Sequence, residues 1–185
     1  MKLKYLIDAW LVIVLAIGIG VALAGVQISL ADRIDANKRD KTLSRIPAVV
    51  PGAVQDKTEE LTLDGQTVYK AIDADGKQIG WVIRAVGDGY ADKIELLIGL
   101  SADASTITGM DVLKQSETPA LGNKIQEPPY KNQFAGQPTD KPVMLTKDGG
   151  QIVAVTAATV SSRSVCDIVN DALAQWKRKL AAARQ

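Results

Sequence analysis

Ten consecutive residues near the C-terminus, Val155-Thr156-Ala157-Ala158-Thr159-Val160-Ser161-Ser162-Arg163-Ser164, combine small side chains with hydroxyls. Small residues let another molecule approach the backbone closely, and Thr159 places a hydroxyl among them. From Ser164 onward Val165, Ile168, Val169, Ala172, Leu173, Trp176 and Leu180 recur at three- and four-residue spacing, which predicts an amphipathic helix. Thr159 then stands just ahead of a helix start that Ser161 or Ser162 can cap. The free N–H groups of the first turn, roughly those of residues 161–164, form with the helix dipole a seat for an anion such as a phosphate, with Arg163 as extra support. A second stretch, Glu117-Thr118-Pro119-Ala120-Leu121-Gly122, must be a loop. Pro119 fixes its own φ and keeps Thr118 out of the helical region, and Gly122 permits a turn. Glu117 offers an acceptor, Thr118 a hydroxyl and Leu121 an apolar surface.

Composition narrows what such sites can do. The chain has 185 residues and a net charge of +1, which leaves no footprint for nucleic acid. It contains no histidine, so histidine-ligated haem, histidine metal sites and histidine-dependent triads are all excluded. Its single cysteine, Cys166, can neither close an internal disulfide nor hold an iron–sulfur cluster alone, and its place in the last helix suits packing. Fingerprints for dinucleotides or for a phosphate-binding P-loop are absent. Redox chemistry here would need a bound organic cofactor.

Residues 9–26 carry no charged or strongly polar side chain, and apolar character resumes through Ile28, Leu30 and Ala31. At about 1.5 Å per residue this stretch can cross roughly 30 Å of hydrocarbon, with Lys2, Lys4 and Trp10 as interfacial anchors. A cleaved leader processed at Ala22-Leu23-Ala24 is the alternative, but the run outlasts the core of about 7–15 residues that a leader has. Ala16, Gly20 and Ala24 fall on one helical face, as do Gly18 and Ala22, a pattern that allows close packing of a partner helix. Lys2 and Lys4 compete with Arg33, Lys38, Arg39 and Lys41, so charge counting leaves the orientation open. The expected organisation is an anchor over residues 1–31, a polar helical stalk and linker over 32–56 broken by Pro47 and Pro51-Gly52, and a soluble domain over 57–185.

Within that domain Leu61-Thr62-Leu63 and Thr67-Val68-Tyr69 flank the turn signal Asp64-Gly65, and Asp75-Gly76 follows Ile72. Residues 79–83, 93–100 and 107–113 read as further strands. Strands joined by turns, with helices kept for the ends, predict an α+β domain with a largely antiparallel sheet and a C-terminal helix.

These stretches resemble a known family. Thr156-Ala157-Ala158-Thr159 with Val160-Ser161-Ser162-Arg163 resembles the flavinylation motif (Ser/Thr)-Gly-Ala-Thr of the G subunit of the Rnf electron-transport complex. The related C subunit of the sodium-pumping NADH:quinone oxidoreductase has a similar motif. Glu117-Thr118-Pro119-Ala120-Leu121-Gly122 is similar to that family's flavin-contacting Glu-Thr-Pro-Gly-Leu-Gly segment. Residues 127–136, ending Gln133-Phe134-Ala135-Gly136, are similar to its Gln-Phe-x-Gly segment, which we assign to packing. Val68-Tyr69-Lys70-Ala71, Asp75-Gly76-Lys77, Ile79-Gly80 and Gly89-Tyr90 look like the opening of its FMN-binding domain.

The resemblance implies FMN on Thr159 through a phosphoester, held also by Glu117, Thr118, Leu121, Gly122, Thr156, Ala157, Ala158, Ser161 and Ser162. It implies a single-pass protein of the cell (inner) membrane with its domain on the extracytoplasmic side. Its partners would be the other membrane and redox subunits of an Rnf-type ferredoxin:NAD oxidoreductase, with an FMN transferase during maturation. Such a protein would relay electrons and catalyse nothing alone. The chain departs from the pattern at Ala157 and Ala120, where the family has glycine, and at Val153, where it has the aspartate recognised by the transferase. Val153 and Ala157 favour the alternative of a flavin-free membrane-anchored assembly or interaction module of the same fold; a third reading is a free-standing extracytoplasmic flavoprotein reductase.

Overall fold

The computed structural model describes residues 10–63 and 66–183. Lys2, Lys4, Ala9 and the expected Asp64-Gly65 turn lie outside the described residues, as does the side chain of Leu180. The chain divides into two compact units, Met1–Lys41 and Thr42–Gln185.

Helix α1 runs Trp10–Val49. Every side chain described from Trp10 to Ile34 is exposed, although most are large and apolar. This stretch is apolar all round with none of its described side chains buried, and its length and composition are sufficient to cross a membrane. The helix does not stop at Pro47, as expected from the sequence, but continues to Val49. A proline this close to the end removes one hydrogen bond of the last turns. Burial of Ile46, Val49, Val50 and Ala53 offsets that loss, at about 1.5–3 kcal/mol for each large side chain.

Five strands follow, β1 Glu59–Leu63, β2 Gln66–Ile72, β3 Gln78–Asp88, β4 Lys93–Ser101 and β5 Ile107–Lys114. They form one antiparallel meander in the order β1-β2-β3-β4-β5. The α+β class and the antiparallel sheet are as the sequence predicts. Asp73 closes the β2–β3 turn by accepting the N–H groups of Asp75 and Lys77 at 3.0 and 2.9 Å.

One face of the sheet, through Val68, Ile83, Leu96, Ile98 and Met110, packs on the C-terminal helix α3, Thr159–Ala183. The apolar stripe Val165, Ile168, Val169, Ala172, Leu173 and Trp176 is buried there as its spacing requires. Trp81 and Trp176 meet with ring centroids 5.5 Å apart. The other face, through Tyr69, Ala71, Val82, Leu97 and Leu113, packs on Ile46, Val49, Val50 and Ala53. Thr108 Oγ1 donates to the Val49 carbonyl at 2.6 Å and fixes that end. β4 is therefore covered on both sides, with Ile94, Leu96, Leu97, Ile98 and Leu100 all fully buried.

Between β5 and α3 lie a 3-10 turn Gly122–Gln126, the short helix α2 Pro128–Lys131 and further turns. Buried Asp111 on β5 accepts from Arg45 at 2.8 Å and from Lys131. That ion cluster ties the end of α1 and helix α2 to the last strand.

Candidate functional site

α3 begins at Thr159, five residues before the start the stripe suggests. The stripe marks only where the helix is buried, whereas the first turn is held by polar side chains. Ser162 N–H donates to the Ala158 carbonyl at 3.0 Å, which makes Ala158 the capping position. Ser162 Oγ donates to the same carbonyl at 2.9 Å and accepts from Val155 N–H at 3.0 Å. Ser161 and Ser162 thus lie inside the first turn and do not cap it. Tyr130, buried in α2 and stacked edge-on against Phe134, donates its hydroxyl to the Ser162 carbonyl at 2.8 Å. The N–H groups left without an intrahelical acceptor are those of Thr159, Val160 and Ser161, two to three residues earlier than expected.

Glu117 is the centre of the arrangement. It is buried, its Oε1 accepts from Tyr90 N–H at 2.8 Å and Ala91 N–H at 3.2 Å, and its Oε2 accepts from Ser161 Oγ at 2.5 Å. The β3–β4 turn, the loop after β5 and the start of α3 therefore meet on one carboxylate. Gly122 is required there, because a Cβ built on it would lie 2.8 Å from both Glu117 Oε2 and Ser161 Oγ. Thr118 and Leu121 are exposed on the same loop, and the Thr118 carbonyl accepts from Leu121 and Asn123 N–H, both at 3.2 Å. The two stretches singled out in the sequence are thus in contact although 44 residues separate Glu117 from Ser161.

Thr156 and Ala157 are exposed, Ala158 is buried, and Thr159 is half-buried with no hydrogen-bond partner for its hydroxyl among the described residues. Of the three non-glycine residues with positive φ among the described residues, two fall in these loops, Ala120 at 62° and Ala157 at 61°. These are the positions at which the resembled motifs carry glycine. The backbone keeps the left-handed turn although alanine pays sterically for it, so the loop shape is retained where the residue is not. Val153 is 59% exposed, and its backbone is clamped by the Gln133 side chain, whose Oε1 accepts its N–H at 2.7 Å and whose Nε2 donates to its carbonyl at 3.2 Å. A cleft of about 230 Å³ opens beside it, lined by Lys124, Glu127, Tyr130, Gln133 and Thr156. Arg163 is engaged elsewhere, since its guanidinium grips Asp148 at 2.9–3.0 Å. Burial pushes the Cys166 thiol up to about 11, in keeping with a packing role.

The FMN-binding domain family matches residues 89–174, a span that runs from the β3–β4 turn through both loops into α3. The chain is 31% identical over 187 residues to the G subunit of the ion-translocating oxidoreductase complex of Aliivibrio fischeri, covering 89% of this chain and 88% of that one. The chain belongs to this family of G subunits. The corresponding protein of Methanosarcina acetivorans is 42% identical over 117 residues, 62% of each chain. The match spans only 51–62% of the length of three such relatives, the Methanosarcina protein included. Among solved structures, the C subunit of the Na(+)-translocating NADH-quinone reductase of Parabacteroides distasonis is similar, with a TM-score of 0.54, 27% identity and 62% of each chain covered.

Sequence reasoning missed the β3–β4 turn as a partner of Glu117, because backbone N–H donors leave no residue-type signal. It also missed Tyr130 as a support for the first turn of α3, since the aromatic pair Tyr130 and Phe134 signals only burial.

Proposed function

We propose that this protein is a membrane-anchored flavoprotein within an Rnf-type ion-translocating ferredoxin:NAD oxidoreductase. FMN is joined by a phosphoester to Thr159 Oγ1, and the domain lies on the extracytoplasmic side of the cell membrane. The observation that carries this reading is the Glu117–Ser161 hydrogen bond, which sets the exposed loop of Thr118 and Leu121 beside the helix start at Thr159.

The residues present fit the group. The Thr159 hydroxyl is unengaged at the helix N-terminus, and the phosphate's remaining charge would be met by the N–H groups of Thr159, Val160 and Ser161. Leu121 offers an apolar surface and Thr118 a hydroxyl to the ring, while exposed Thr156 and Ala157 leave the approach open. Glu117 and Ser161 satisfy one another and so hold the two loops rigid instead of reaching outward. Ser162 keeps the turn before Thr159 closed through Val155 and Ala158. FMN, when bound, supplies the electron-accepting and electron-donating chemistry that these side chains lack. The chain contributes position, shielding and the local field, and ion pumping and the redox steps on ferredoxin and NAD(H) belong to its partners in the complex.

With the left-handed turn kept at Ala157, the feature that still favours the flavin-free assembly module is exposed Val153 in place of the aspartate that the FMN transferase recognises. Intact mass of the full chain co-produced with its FMN transferase separates the two readings. An adduct of one FMN that disappears with its in-gel fluorescence in Thr159→Ala, while the circular dichroism is unchanged, is the expected result. A wild-type chain that never gains the mass, or a Thr159→Ala chain that keeps it, overturns the assignment.

A further inference from the structure

The β3–β4 turn carries an aromatic ring that neither motif loop contains. Tyr90 and Ala91 give their N–H groups to Glu117 Oε1, so this turn is bound to the carboxylate that also holds the start of α3. Gly89 N–H closes the turn on the Asp92 carbonyl at 2.9 Å, and a Cβ built on Gly89 would lie 2.3 Å from Glu117 Oε1. The backbone under Tyr90 is therefore fixed. Its side chain nevertheless stands 68% exposed, and its hydroxyl has no partner among the described residues.

Two more exposed apolar side chains stand next in sequence to residues that meet this carboxylate. Leu121, 42% exposed, precedes Gly122, and Val160, 52% exposed, precedes Ser161. Three exposed apolar side chains therefore stand on the three segments that meet at Glu117, and Val160 directly follows Thr159. Solvent-facing apolar groups on so fixed a base mark a surface that a ligand covers, and an aromatic ring suits a flat aromatic ligand best.

We propose that Tyr90 packs its ring against the isoalloxazine of FMN attached at Thr159, which makes the β3–β4 turn a third wall of the flavin site. This inference rests on the reading of Thr159 as the attachment point. It assigns Tyr90 a positioning role, with Leu121 and Val160 completing the apolar surface.

The test uses the full chain co-produced with its FMN transferase, as wild type, Tyr90→Trp, Tyr90→Phe and Tyr90→Leu. In-gel fluorescence after denaturation measures covalent flavin, and the ratio of native to denatured flavin emission measures contact with the aromatic ring. Tyrosine and tryptophan quench a flavin they touch, whereas phenylalanine and leucine do not. The expected result is equal covalent flavin in all four, strong native quenching in wild type and Tyr90→Trp, and a severalfold rise in native emission for Tyr90→Phe and Tyr90→Leu. Tyr90→Phe keeps the ring's shape, so its rise cannot come from a disturbed fold. Native emission in Tyr90→Phe equal to wild type overturns the Tyr90 assignment and leaves Thr159 standing. Absence of covalent flavin in the wild type overturns both.

Discussion

Replacing Ala157 and Ala120 with glycine should stabilise this protein, which is unusual for a change that removes a methyl group. Ala157 sits at φ 61° and Ala120 at 62°, where Cβ crowds the carbonyl that follows at a cost of about 1–2 kcal/mol. Glycine relieves that crowding but adds unfolded-state freedom worth roughly 0.5–1 kcal/mol. Both alanines are exposed, so no packing is lost. The net gain is about 0.5–1 kcal/mol at each site and about 1–2 kcal/mol for the pair, since the two alanines share no hydrogen bond. For a domain of this size that corresponds to roughly 2–4 °C in Tm per kcal/mol. Thermal unfolding of the full chain in detergent, followed by the near-ultraviolet circular dichroism of Trp81 and Trp176, gives the measurement. Ala104→Gly is the control, because Ala104 also has positive φ at 58° but packs against the core, so its gain should be smaller. If Ala157→Gly lowers the midpoint, the left-handed turn is not strained and alanine holds the loop shape at no steric cost.

Glu117→Ala leaves the buried Ser161 hydroxyl without its acceptor, at about 1–3 kcal/mol, and removes two part-buried bonds from Tyr90 and Ala91 N–H, at about 0.5–1.5 kcal/mol each, so it should cost at least about 2 kcal/mol in chemical denaturation. Glu117→Gln keeps the size and one acceptor oxygen, and should lose far less. Val153→Asp changes an exposed side chain whose backbone Gln133 already holds, so stability should move by no more than about 0.5 kcal/mol, while the fraction of chain carrying FMN, read by intact mass, should rise. Cys166 should resist alkylation by iodoacetamide in the folded protein at mildly alkaline pH. Its thiol is raised from 9.0 to about 11 by burial, so the fold favours the neutral form; the stability this contributes is complete below pH 9 and fades as pH rises through about 11. Denaturation midpoints across that interval, compared with Cys166→Ala, should show the wild type losing more.

Elements whose signal is local were legible in the amino-acid pattern. Uniform apolarity defined the long exposed part of α1, alternating runs and turn pairs defined the strands, and three- and four-residue spacing defined the buried stripe of α3 from Val165 to Trp176. Small and constrained residues marked the two loops. The rest depended on which surfaces the packed sheet brings together. Pro47 looked like a terminator, and only the apolar second face of β2 to β5 explains why Ile46 and Val49 continue the helix into the core. The helix start at Thr159 depended on Ser161 finding Glu117 and on Ser162 closing over Ala158, neither of which leaves a periodic trace. The sequence offered Arg163 to an anion, and the tertiary structure engages it with Asp148. Spacing along a chain encodes the face an element presents, but a hydrogen bond between residues 44 positions apart exists only once the sheet has set the distance between their segments.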